Sequence, residues 1–161
     1  MREKSFMDLY LSSKSWFKLI IDIGEWIIII GIALLFPFPK ISSFIGLKIF
    51  GGLLVILGLY LHKSAHSVHR AAHQPKHEIK EIVTAGVYSK IRHPCYTGYI
   101  FLYLGAFFII GSLSMLIPII LFSYIFYDSA VKEERLLREK FGKRYEDYMK
   151  KVPWRFIPKI F

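Results

Sequence analysis

Residues Ile82–Gly98 read IVTAGVYSKIRHPCYTG, and here a basic, histidine-rich segment turns into an apolar run. Arg92, His93, two tyrosines (Tyr88 and Tyr96) and two glycines (Gly86 and Gly98) sit at the change. Ring hydroxyls and cations at the edge of an apolar run mark a membrane surface, where an aromatic body and a polar tip are both satisfied. The apolar run that begins at Pro94 continues to about Gly111, long enough to enter a bilayer as a helix. On this reading the fold is an all-α integral membrane protein.

Composition agrees. Hydrophobic residues make up 54% of the 161, and the mean hydropathy is +0.41, more than a soluble core of this size requires. The net charge of +10 occurs together with long apolar runs, so anionic lipid headgroups are the expected neighbour and nucleic acid is not. The single cysteine, Cys95, excludes an internal disulfide and any all-cysteine metal site.

Four spans are predicted, at about 16–36, 44–61, 94–111 and 113–127, within one domain covering 1–161. Lys18, Asp22 and Glu25 interrupt the first on one helical stripe. Their spacing suggests a neutralised stripe against another helix, with a ligand cavity facing Asp22 or Glu25 as the alternative. Pro37 and Pro39 stop that helix. Gly46, Gly51, Gly52 and Gly58 in the second span would let a neighbouring backbone come close.

Segment 62–93 holds all six histidines, six Lys or Arg residues and two acids. The basic excess predicts a cytosolic loop, and both termini then fall on the same side. The amino terminus lacks the apolar core and small-residue cleavage site of a signal peptide, so the first span is expected to stay. The last two spans form a tight hairpin. The fourth is expected to continue into a cytosolic helix that ends near Gly142, within a cytosolic region 128–161. The tail PWRFIPKIF is suited to the membrane interface.

Three places could carry chemistry. His62, His66, His69, His73 and His77 recur at spacings of four, three, four and four, which puts them on one face of a continuous helix. Pro75 breaks such a helix, and a metal needs three or four converging ligands. A polar interfacial helix or loop is therefore the stronger reading, and no metal is assigned. At the second place, proline at the first helical position makes Arg92-His93-Pro94 a helix start, leaving amides at Cys95, Tyr96 and Thr97 for an anion such as a carboxylate. Tyr88 and Tyr96 add ring faces that attract a cation. Both features suit a ligand bearing a carboxylate and a positive charge. The third place is Glu133-Glu134. Glu134 with Arg138 and Arg135 with Glu139 look like solvated i, i+4 pairs of little consequence. Glu133 falls on the apolar face and needs compensation from elsewhere.

Arg92-His93-Pro94-x-Tyr96-x-Gly98, a hydrophobic stretch and then Glu133-Glu134 resemble the signature of the isoprenylcysteine carboxyl methyltransferases and the related phospholipid methyltransferases. The likeness extends through IVTAGVYSKIRHP upstream and FGKRYEDYMKKVPWRFIP downstream. The resemblance implies a membrane enzyme that binds S-adenosylmethionine at its cytosolic face, between the 62–93 segment and the C-terminal helix. It would methylate a lipid-like acceptor from the bilayer, in first place a carboxylate. Carried over by position, the cofactor residues are His73, Lys80, Glu81, Ile82, Val83, Tyr88, His93, Pro94, Cys95, Tyr96 and Glu133. Glu133 and Arg92 take catalytic positions. Ser129 takes the substrate position, where relatives that methylate prenylcysteine carry an arginine. Phospholipid N-methylation, a sterol-type membrane reductase and a non-enzymatic metal- or haem-binding membrane protein are the alternatives. Membrane lipids are the expected surroundings, and the sequence does not fix an oligomeric state.

Overall fold

The computed structural model describes residues 15–41, 44–68 and 81–160. Five α-helices carry the architecture: α1 (Ser15–Leu35), α2 (Ile45–Val68), α3 (Pro94–Ile110), α4 (Leu116–Phe141) and α5 (Lys143–Lys151). Short 3-10 turns at Gly86–Ser89 and Leu113–Met115 lead into α3 and α4. No strand occurs among the described residues, and one isolated bridge joins Lys40 to Ser112.

Local chemistry explains the ends. The α1 helix stops two residues before Pro37. Gly111 closes α3 in the left-handed region, at φ 79°, and donates its N–H to Phe107 O at 2.7 Å. At Gly142, φ is 54° and ψ −131°, a conformation open mainly to glycine, and it separates α4 from α5. The predicted second span ends too early: the helix runs on to Val68, so His62 and His66 belong to α2 and not to a loop.

The core joins Ile29 and Ala33 of α1, Tyr103 and Phe107 of α3, Met115 of the turn before α4, and Ile119, Phe122 and Phe126 of α4. The α2 helix packs on α3 by a different device. A Cβ on Gly58 would lie 2.8 Å from Gly98 O, and one on Gly51 would lie 2.8 Å from Gly105 O, so backbone meets backbone at two levels seven residues apart. Gly46 and Gly52 make no such approach.

The outward faces are apolar. Leu34 and Leu35 are each 75% exposed, and only 11% of the most apolar window of α2 is buried. Such a helix is not the core of a soluble protein. By length and composition, 45–67 and 113–141 can cross a membrane, and α3 is a shorter apolar helix. The α1 helix carries the stripe of Lys18, Asp22 and Glu25, all buried. Tyr99 OH donates to Asp22 Oδ2 at 2.8 Å, and Tyr103 OH donates to Glu25. The stripe thus lies against α3, as the spacing suggests.

At one end, the two interhelical turns clip together. Ile41 N donates to Gly111 O at 2.8 Å and Leu113 N to Pro39 O at 3.0 Å, while Ser112 Oγ and Ser114 Oγ donate to Phe36 O. The candidate site lies at the opposite end.

Candidate active site

The segment entering α3 is shaped by Gly86, whose φ of 60° opens the 3-10 turn that carries Tyr88. Tyr148 of α5 donates its hydroxyl to Tyr88 O at 2.8 Å, which fastens this turn to α5. Tyr145, Tyr148 and Val152 form a small second core with Ile82, Leu137 and Phe141. Burial pushes the phenols of Tyr88, Tyr145 and Tyr148 above their ordinary range, so all three remain neutral hydroxyls.

His93 is the N-cap of α3 and Pro94 its first residue. The C-terminal tail straps this helix start: Arg92 N donates to Trp154 O and His93 N to Arg155 O, both at 3.0 Å. Thr97 Oγ1 lies 3.1 Å from Phe156 O and 3.0 Å from His93 O. The tail is therefore a structural clasp on the site. Thr97 N donates to His93 O at 3.1 Å, because the fourth helical residue closes the first turn. The anion site expected at three amides loses one of them.

Glu134 is the centre of the joint, with 1% of its side chain exposed. Its Oε1 accepts from Arg92 Nε at 2.9 Å and Arg155 Nε at 3.0 Å, and its Oε2 accepts from Arg155 Nη2 at 2.9 Å. His93 Nε2 lies 3.1 Å from Oε1. An ionised carboxylate only accepts, which places the ring proton on Nε2. The Arg155–Glu134 hydrogen bonds raise the guanidinium further above its ordinary value. Arg92 Nη1 also donates to Val152 O and Pro153 O, both at 2.7 Å. The expected solvated pair of Glu134 with Arg138 is thus corrected. Glu134 continues the buried series Phe122, Phe126, Ala130 at steps of four, and tertiary partners outcompete its local one. The Arg135–Glu139 pair is exposed at 4.0 Å, as read from the sequence.

Glu133 lies on the other side of the same stripe, also buried. Tyr96 OH donates to its Oε2 at 3.3 Å. It lines a pocket of 40 Å3 with Glu81, Ile82, Val83, Tyr88, Arg92, His93, Leu137, Tyr145 and Tyr148. Chain segment 81–93, α4 and α5 meet there. A second cavity, of 240 Å3 and almost wholly apolar, lies between α3, α4 and the tail, lined by Thr97, Ile100, Phe101, Ser123, Tyr127, Phe156 and Ile157.

The sequence pattern described as phospholipid methyltransferase matches residues 46–144, which is 99 of the 161 residues. The chain belongs to the phospholipid methyltransferase family. Among curated proteins it is similar to the protein-S-isoprenylcysteine O-methyltransferase of Saccharomyces cerevisiae, 35% identical over 128 residues, covering 73% of this chain and 54% of the relative. The Xenopus laevis protein of the same name is 30% identical over 122 residues, covering 72% and 42%. The human one is 29% identical over 126 residues, covering 71% and 43%. The chain spans about half the length of these relatives.

Of the residues that the family resemblance singles out, the structure brings Glu81, Ile82, Val83, Tyr88, Arg92, His93 and Glu133 to one pocket. His73 and Lys80 lie outside the described residues, as do His69 and His77. Pro94 starts α3, and Tyr96 reaches the pocket through Glu133. Cys95 directs its thiol toward α2, with Sγ 3.5 Å from His62 Nδ1. Ser129 is fully buried and donates its hydroxyl to Ile125 O at 2.7 Å.

Sequence reasoning missed Glu134, Arg155, Tyr145 and Tyr148. For Glu134 the signal was available in the four-residue series. Arg155 has none, since its partner is 21 residues away across the break at Gly142.

Proposed function

We propose that this chain is a membrane methyltransferase that uses S-adenosylmethionine and methylates a lipid-like carboxylate, of the isoprenylcysteine type. The observation that supports this reading most is the Glu133 pocket, where an acidic group and aromatic rings from three segments converge in a chain of the methyltransferase family. The donor set fits the cofactor: a buried carboxylate suits an ammonium group, and the rings of Tyr88 and Tyr148 suit a sulfonium. A volume of 40 Å3 is far below the ~300 Å3 typical of ligand sites. Occupancy therefore requires the pocket to widen.

Bound there, the cofactor supplies a methyl group on a positively charged sulfur. The chain's residues position and shield. Glu133, steadied by Tyr96, holds the ammonium end, and Ile82, Val83 and Leu137 exclude water from the nucleophile. The Arg92–Glu134–Arg155 joint fixes the wall that carries His93. An acceptor carboxylate, with a pKa of ~4, is already ionised at neutral pH and needs no base. A lipid amine would need to lose a proton first. The apolar cavity beside Thr97 and Phe156 offers a place for a lipid chain next to the joint. On this reading α1 to α4 all cross the bilayer, and the site and both termini face the cytosol.

The test is transfer of labelled methyl from S-adenosylmethionine to prenylcysteine, fatty-acid and aminophospholipid acceptors. A base-labile methyl ester on prenylcysteine is expected. Stable N-methyl label on the aminophospholipid would replace the acceptor class, and no transfer to any acceptor would overturn the reading.

A further inference from the structure

The histidine face of α2 and the single cysteine, far apart in the sequence, come together in space. His62 and His66 are one helical turn apart on α2, with ring centroids 4.5 Å apart. Cys95 is the second residue of α3. What joins them is the glycine contact one turn away: a Cβ on Gly98 would lie 2.9 Å from Gly58 O and 3.1 Å from His62 N. Only two residues without side chains let the helices approach this closely, and the approach delivers the thiol to the imidazoles.

We propose that His62, His66 and Cys95 form a zinc site that links α2 to the start of α3. One ligand atom from each of the three lies within 4.8 Å of the others. Cys95 Sγ is 3.5 Å from His62 Nδ1 and 3.9 Å from His66 Nε2. A tetrahedral zinc, with bonds of about 2.3 Å to sulfur and about 2.0–2.1 Å to nitrogen, holds such ligands about 3.5 Å apart. Both sulfur–nitrogen separations are therefore within tenths of an ångström of that geometry. Imidazole and thiolate together favour zinc over magnesium or calcium, which take oxygen ligands. All three residues are half-buried, so the fourth position is open to water or to a further ligand.

A neighbouring interaction steadies the array. The Tyr99 ring packs edge-on against His62, with centroids 4.9 Å apart, while its hydroxyl is held by Asp22 of α1. This packing limits rotation of the His62 ring. On binding, the Cys95 thiol loses its proton to solvent and the thiolate sulfur bonds the metal. The methyl-transfer pocket contains none of the three side chains, so the zinc site stands or falls independently of the proposed activity.

Because Cys95 is the single cysteine, its thiol can be followed without ambiguity. The full chain in detergent, stripped with a chelator, is titrated with Co2+ and then Zn2+. One equivalent of Co2+ is expected to give a thiolate-to-metal charge-transfer band that Zn2+ removes. Cys95→Ser should abolish the band, and His62→Ala or His66→Ala should weaken binding at least tenfold. In the unaltered chain, saturating Zn2+ should slow maleimide alkylation of Cys95 at least tenfold, while Mg2+ should not. This second readout requires no variant to fold. An absent band, alkylation indifferent to zinc, or binding that survives Cys95→Ser unchanged would each overturn the site.

Discussion

Two regions of this molecule bury carboxylates, and they satisfy them in different ways. In the bundle, Asp22 and Glu25 of α1 accept from the phenols of Tyr99 and Tyr103, between helices whose other faces are apolar. At the joint, Glu134 is held by two guanidiniums and an imidazole, which come from the start of α3 and from the tail. Phenol pairing joins two helices and leaves the local charge nearly unchanged. Guanidinium pairing gathers three pieces of chain around one point, and each piece depends on the others. The difference teaches where rigidity is concentrated. Each phenol pair in the bundle can be lost singly, whereas loss of Glu134 releases the start of α3 and the tail together.

The sharpest way to break this contrast is Glu134→Ala. It leaves Arg92 and Arg155 without their shared counter-charge, and removing one partner of a buried ion pair typically costs ~3–5 kcal/mol. Thermal unfolding in detergent should register this as the largest loss of the series. Next comes Gly58→Ala, whose Cβ meets Gly98 O at 2.8 Å and Leu102 Cγ at 2.9 Å. Overpacking against backbone should cost about 1–3 kcal/mol, while Gly52→Ala, with nothing within 4 Å, should be neutral. Tyr103→Phe removes the donor to Glu25 and should cost ~1 kcal/mol, the usual scale for a hydrogen bond between helices in a membrane. At the small end, Arg135→Ala breaks an exposed 4.0 Å pair and should change stability by no more than ~0.5 kcal/mol. A loss for Tyr103→Phe as large as that for Glu134→Ala would erase the distinction between the two regions.

The sequence made much of this legible, and its failures have physical causes. Helical periods and proline and glycine stops located α1, α3 and the long α4, because those signals are local. The inward face of Glu133 was readable for the same reason: three of its four neighbours at steps of three and four, Ala130, Leu136 and Leu137, are apolar. Glu134 was misjudged because Arg138, at the i+4 position, offered a plausible partner. Periodicity cannot show that tertiary cations from Arg92 and Arg155 reach the same oxygens first. The tail was read by composition as an interfacial strip. It contributes the Arg155 guanidinium to Glu134 and the backbone carbonyls of Trp154, Arg155 and Phe156 to the start of α3, and those carbonyls carry no sequence signature. The convergence of Cys95 with His62 and His66 depends on the register of Gly58 against Gly98, and one chain's pattern does not set that register.

The central claim is that the pocket lined by Glu133, beside the rigid joint, holds S-adenosylmethionine. Calorimetric titration of the cofactor into the full chain and into Glu133→Gln tests it most directly. Measurable binding by the unaltered chain is expected, with affinity at least tenfold weaker for Glu133→Gln and thermal stability held close to that of the parent. Equal affinity for the two proteins, or no binding by either, would contradict it.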